Sequence, residues 1–123
     1  MKKKVLTILA VLLCLSLAVA ACDTFEKNAY RSMYTIGTTY DALMESAADL
    51  YGQGLITDEQ KAEIIKLANI FYVSYQSAVD AFDVYLKLKD KESKEAFQVI
   101  LAETIAKLGN VEDYLRRIQE VTK

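Results

Sequence analysis

The chain has 123 residues, with 15 Lys+Arg against 17 Asp+Glu, two Cys, and no His, Pro or Trp. That length holds one domain, and that composition excludes imidazole acid–base catalysis, His metal sites and a disulfide-stapled scaffold. At 53% hydrophobic it is also too apolar to stay disordered.

Met1-Lys2-Lys3-Lys4 is a short basic start, and residues 5–21 are a charge-free run of 17. This layout is that of a secretory signal peptide and is short for a membrane-spanning helix, which needs about 20 apolar residues. The run ends Val19-Ala20-Ala21-Cys22. An aliphatic residue, two small residues and then Cys resemble the lipobox of bacterial lipoproteins. The resemblance covers residues 1–22 only. It implies cleavage before Cys22 by a dedicated peptidase, after the thiol has received a diacylglyceryl group, and in many species acylation of the new amine. The rival readings are an uncleaved anchor and an ordinary cleaved signal, and agreement of charge, length and small residues favours the lipobox. Cys14 follows Leu12 and Leu13, where small residues are needed, and leaves with the signal. Cys22 is then the only mature cysteine, blocked as a thioether, so no disulfide or thiol chemistry remains. Two or three acyl chains anchor stably where one is marginal. Asp23 resembles the signal that retains lipoproteins in the inner membrane of enteric-type bacteria. The implied location is the bacterial cell envelope, lipid-anchored and facing the periplasm or the outside, with the inner membrane favoured if the host sorts as enteric bacteria do.

Residues 22–123 leave a mature domain of 102 residues, and loss of Lys2, Lys3 and Lys4 leaves 12 basic against 17 acidic residues, or −5. No Pro or Gly/Ser-rich linker and no solenoid repeat interrupts it. The first helix is predicted over about 24–51. Asp23 with Glu26 fits a capping box, and the apolar seam is Tyr30, Met33, Gly37, Tyr40, Met44, Ala47 and Tyr51, widened by Ile36, Leu43 and Leu50. Gly52-Gln53-Gly54 supplies a left-handed stop. The second helix is predicted over about 58–89, capped by Thr57 with Gln60 reaching back. Its seam is Ile64, Ala68, Phe71, Tyr75, Ala78, Phe82 and Tyr85, flanked at sevens by Ile65, Tyr72, Val79 and Leu86. The third, over about 94–121 with Asp90 or Ser93 as cap, carries Phe97, Leu101, Thr104, Leu108, Val111, Leu115 and Ile118. The seam crosses Gly109-Asn110 without losing phase, which predicts one continuous helix. Glu112–Arg116 and Asp113–Arg117 are helical i,i+4 pairs.

Sevenfold spacing in three segments predicts coiled-coil-like packing, and two short turns demand antiparallel neighbours. The expected fold is all-α, an up-down-up three-helix bundle behind a cleaved signal. Gly37 within the first seam suits either close helix approach or a tolerated glycine costing about 1 kcal/mol.

Chemistry is sparse. A di-metal bundle site needs inward Glu-x-x-His pairs, and the seams hold no carboxylate. Thr57-Asp58-Glu59-Gln60 is followed by no calcium-loop pattern, so it reads as a cap. No phosphate loop exists, and no base is present to activate a Ser or Thr. An enzyme is not expected, nor any cofactor beyond the covalent lipid on Cys22, nor a nucleic-acid partner.

Five tyrosines (Tyr30, Tyr40, Tyr51, Tyr75, Tyr85) fall on seams and read as core, with hydroxyls at the boundary. Tyr34, Tyr72 and Tyr114 flank the seams and are the better recognition candidates. Residues 32–60 hold no Lys or Arg but carry Asp41, Glu45, Asp49, Asp58 and Glu59. The first three are four apart, forming either a surface for a basic partner or a solvated face. An up-down-up path returns the basic turn of Lys87, Lys89, Lys91 and Lys94 to the anchored end, beside anionic headgroups. The expected role is a non-enzymatic interaction or scaffolding module that binds membrane through its lipid and either a protein partner or a second copy. The alternatives are a carrier of a small apolar ligand between small seam residues (Gly37, Ala47, Ala68, Ala78), or a phage- or plasmid-encoded exclusion or lysis lipoprotein.

Overall fold

The computed structural model describes residues 22–121, with side chains from residue 24 onward. The signal segment, the lipobox residues Val19, Ala20 and Ala21, and the side chains of Cys22 and Asp23 therefore lie outside the described residues. Among the described residues the chain is all-helical, without a strand. Its helices are α1 (Cys22–Gly52), α2 (Asp58–Leu88) and α3 (Lys91–Val121). Each has 31 residues, roughly 46 Å at 1.5 Å per residue.

Caps explain the boundaries. Asp23 is already helical, so it is not the N-cap that its spacing to Glu26 predicts. The end of α1 is a Schellman motif. Gly54 stands at φ 75° and donates its N–H to the Tyr51 carbonyl at 3.0 Å, and the Leu55 N–H reaches the Leu50 carbonyl at 2.9 Å. Thr57 begins α2 with both halves of a capping box, Gln60 N–H to Thr57 Oγ1 at 3.1 Å and Thr57 N–H to Gln60 Oε1 at 2.9 Å. Lys89 closes α2 in the left-handed conformation, φ 51° and ψ 32°, donating its N–H to the Tyr85 carbonyl at 2.7 Å. Asp90 then caps α3 by accepting from the Ser93 N–H at 2.8 Å. With Asp90 as the cap, α3 starts three residues before the predicted 94, and the connection from α2 is only Lys89-Asp90. The third helix runs unbroken through Gly109-Asn110, as the seam predicts.

The chain divides into two compact units, Met1–Thr35 and Ile36–Lys123. In the first, the described part is the opening of α1, where Ala29 and Met33 are buried and Lys27, Tyr30, Arg31 and Tyr34 are exposed.

The second unit holds the helical core. Buried Ile36, Ala47, Ile56, Ile64, Phe71, Leu108, Val111, Leu115 and Ile118 form one cluster, with Tyr40, Leu43, Leu50, Tyr75, Leu101 and Tyr114 packed around it. Seam residues of α3 fall where expected: six of the seven are buried and Leu101 is half-buried. The predicted seam of α1 holds along most of its length, with Met33 and Ala47 buried and Tyr40 and Met44 packed on the core, and fails at its two ends. Ile36, Tyr40, Leu43, Ala47 and Leu50 face the core, while Tyr30 and Tyr51, read as seam residues, are exposed at 66% and 40%. Ile36, Leu43 and Leu50, expected to widen the stripe, also face the core, because aliphatics fill a close-packed interior with no hydroxyl to satisfy.

Two kinds of packing meet in this unit. Helices α2 and α3 lie closest, backbone to backbone. They run antiparallel, with Phe82 against Phe97 (centroids 5.1 Å apart) and Ser74 against Thr104. Ser74 Oγ and Thr104 Oγ1 are 2.9 Å apart, and Thr104 Oγ1 also lies 2.8 Å from the Ile100 carbonyl and 3.1 Å from that of Ser74. Each hydroxyl has one proton, so Ser74 donates to Thr104 and Thr104 to a carbonyl. Helix α1 meets α2 through rings. Tyr40 stacks on Phe71 at 4.6 Å, and the Tyr75 hydroxyl lies 3.2 Å from where a Cβ on Gly37 would stand. Gly37 thus faces the tip of a tyrosine side chain, not the close helix backbone that its place in the seam suggested.

Candidate functional site

Among the described residues no group of three or more Cys, Asp or Glu is arranged to hold a metal ion, and no helix is long and apolar enough to cross a membrane. Every buried side-chain polar atom described has a hydrogen-bond partner. The candidate residues read from the sequence lie mainly on surfaces.

The basic turn is assembled as a cluster, since Lys87, Lys89, Lys91 and Lys94 all fall within one turn of the Lys89-Asp90 connection. Its charge is largely matched in place. Lys87 Nζ pairs with Asp83 at 3.0 Å and Lys91 Nζ with Glu95 at 3.7 Å, both solvent-exposed i,i+4 pairs. Asp90 holds the cap, and the Ser93 hydroxyl and N–H bonded to it keep its carboxyl below the usual carboxylate range. Leu88, 61% exposed, sits among these charges. Lys89 occupies a left-handed position where a glycine would avoid the clash of Cβ with the carbonyl.

Asp41, Glu45 and Asp49 are exposed along α1, and among the described residues none of them makes an ion pair. Asp58 has a structural role: it accepts from the Tyr51 hydroxyl at 2.9 Å and, with Glu59, places negative charge in the first turn of α2. Tyr51, which the sequence placed in the core, instead spans the turn, with Lys61 Nζ 4.4 Å above its ring. Of the three tyrosines singled out for recognition, Tyr34 and Tyr72 are exposed, while Tyr114 is half-buried against the core. The Tyr40 phenol is pushed above its ordinary value by burial first, then by neighbouring Asp41 and Tyr72.

Arg116 pairs with Asp113 and not with the predicted Glu112. Arg117 reaches the other oxygen of Asp113 at 2.6 Å. One carboxylate thus serves two guanidiniums, and the hydrogen bond from Arg116 holds its pKa below the usual range.

Two grooves open on the second unit. One, of about 570 Å³, lies between α2 and α3 along Ile70, Val73, Ser77 and Ile100. The other, of about 340 Å³, lies near the first turn along Met44, Ala48, Ile56 and Ile65. Both open to solvent. The small residues Ala47, Ala68 and Ala78 are buried in the packing, and the space at Gly37 is taken by the Tyr75 hydroxyl.

Sequence reasoning singled out Tyr34 but missed its grouping with exposed Lys27, Tyr30 and Arg31. Their i, i+3, i+4, i+7 spacing was visible, but Tyr30, on the predicted seam, reads as a core residue. Comparison with protein-family models, curated proteins and solved structures finds no match to this chain.

Proposed function

We propose that this protein is a bacterial envelope lipoprotein, anchored through acylated Cys22, whose helices form a non-enzymatic interaction or scaffolding module. The observation that carries the reading is the junction at Cys22. A basic start and a charge-free run end in Val19-Ala20-Ala21-Cys22, and helix α1 begins at that cysteine with no linker. A module joined so closely to its anchor is held near the bilayer.

Within this reading the helices run up-down-up. The contacts of Ser74 with Thr104 and Phe82 with Phe97 between α2 and α3, and of Tyr40 with Phe71 and Gly37 with Tyr75 between α1 and α2, support it. That path returns the turn of Lys87, Lys89, Lys91 and Lys94 toward the anchor and points the acidic first turn away. The unpaired line Asp41, Glu45, Asp49 is then the surface offered to a basic partner, or to a second copy through its basic residues.

The deciding experiment is expression of the full gene in a bacterial host, with mass spectrometry of the detergent-extracted protein. An N-terminal peptide beginning at Cys22 with a diacylglyceryl mass is expected, together with loss of membrane retention in Cys22→Ser. A mature mass beginning elsewhere, or full retention of Cys22→Ser, overturns the anchor. Co-purification of one protein that is lost on Asp41→Lys/Glu45→Lys supports the scaffold, and undiminished capture by that variant removes the acidic line from the surface.

A further inference from the structure

We infer that the outward face of the first turns of α1, made by Lys27, Tyr30, Arg31 and Tyr34, is a docking surface for anionic lipid headgroups, so that the protein leans on the bilayer along this face. The inference rests on the membrane attachment at Cys22 proposed above.

Spacing and exposure define the face. The four residues follow one another at i, i+3, i+4 and i+7 and lie on one side of the helix. All four are exposed, Tyr30 at 66% and Tyr34 at 67%, and buried Ala29 and Met33 lie on the opposite side. Two adjacent tyrosines left two-thirds open are poor use of a helix facing water alone, and a ring with a polar tip suits a membrane–water interface.

Charge selects the partner. Residues 27–40 hold Lys27 and Arg31 and no Asp or Glu; Glu26 directly precedes them and Asp41 follows. Asp23 shares the register one turn before Lys27. Among the described residues neither Lys27 nor Arg31 makes an ion pair, whereas Lys87 and Lys91 of the basic turn are matched by Asp83 and Glu95. Unmatched cations attract an anionic surface more than cations already neutralised by neighbours.

Distance fixes the posture. Tyr30 and Tyr34 stand roughly 12 and 18 Å along the helix axis from Cys22, at 1.5 Å per residue. The headgroup layer of one leaflet is only about 5–8 Å deep, half the difference between total bilayer and hydrocarbon thickness. An upright helix lifts both rings clear of it, and a leaning helix lays them in it. The acids from Asp41 onward set where contact stops.

The chain has no Trp, so Tyr34→Trp makes a single fluorescent reporter at an exposed position. The full-length, host-processed protein would be reconstituted into vesicles of phosphatidylcholine, with or without phosphatidylglycerol. Quenching by iodide from water and by brominated lipid from the bilayer would then be read. Tyr30→Trp serves as a second reporter, and circular dichroism in both variants verifies that the helices are intact. In anionic vesicles the reporter is expected to be shielded from iodide and quenched by brominated lipid. Lys27→Gln/Arg31→Gln is expected to shift the docked-to-undocked ratio about thirtyfold, as two basic side chains near an anionic surface should. Vesicle flotation reads attachment separately. A protein that floats with both reporters open to iodide, or shielded equally in neutral vesicles and in the double variant, overturns the docking face while leaving the anchor standing. A protein that does not float overturns both.

Discussion

Thr104→Val keeps the shape of a fully buried side chain and deletes the hydroxyl through which α2 and α3 are joined. In the folded protein Ser74 Oγ donates to Thr104 Oγ1 across 2.9 Å, and Thr104 donates onward to the Ile100 carbonyl at 2.8 Å. Removing the threonine oxygen leaves the Ser74 hydroxyl without its acceptor. Stranding a buried hydroxyl costs about 1–3 kcal/mol, and rotation toward a carbonyl of its own helix recovers part of that, so about 1.5 kcal/mol is expected. Ser74→Ala is milder: Thr104 keeps its bond to Ile100 and alanine favours the helix, for a net cost of about 0.5 kcal/mol. The double variant strands nothing and should be less destabilised than Thr104→Val alone, a coupling of about 1 kcal/mol. Urea unfolding followed by far-UV circular dichroism reads all four proteins of the cycle, with an unchanged slope confirming comparable unfolding. A double variant whose loss equals the sum of the singles to within about 0.3 kcal/mol would refute the reasoning.

Three further outcomes follow from the caps and the helix surface. Gly109→Ala, in an exposed helix interior where an added Cβ meets nothing within 4 Å, should stabilise by about 1 kcal/mol in the same unfolding assay. Lys89→Gly removes a Cβ from a residue at φ 51° and should stabilise by about 1 kcal/mol; a loss of stability would mean the lysine side chain contributes more than its backbone costs. Asp90 and Asp113 have carboxyls held below the ordinary range by hydrogen bonds from Ser93 and Arg116 respectively. A depressed folded pKa gives stabilisation that is complete above the unfolded value and lost as pH falls through the folded one. Asp90→Asn, which still caps, and Asp113→Asn should therefore flatten the acid limb of a stability–pH profile. An unchanged limb in both variants would show that these hydrogen bonds do not persist in solution.

Helix α3 was legible in full because its seam is made of residues with one physical preference each. Phe97, Leu108, Val111, Leu115 and Ile118 gain only by burial. Helix α1 was legible only in part. Its middle reads correctly, with Met33, Tyr40, Met44 and Ala47 turned inward, but its ends are Tyr30 and Tyr51, and a tyrosine serves a core or a surface equally well. Ser74 was invisible because a serine at a seam edge reads as polar until its partner, thirty residues away, is known. The lysine turn was read from its cations alone, and the interspersed acids Asp83 and Glu95 were in plain view. Arg116 could reach back three residues or four, and a bare sequence does not rank Asp113 above Glu112.

The Lys89-Asp90 connection also sets an order of assembly. Joining α2 to α3 closes only a two-residue gap and then zips outward, whereas bringing residues 36–50 of α1 against Val111, Leu115 and Ile118 closes a loop most of the domain long. Contacts near in sequence form first, so pairing across each short turn, Tyr40 with Phe71 and Phe82 with Phe97, precedes the joining of α1 residues to the cluster at Val111, Leu115 and Ile118. The core cluster draws on all three helices, and is therefore complete only once residues 111–118 have joined it.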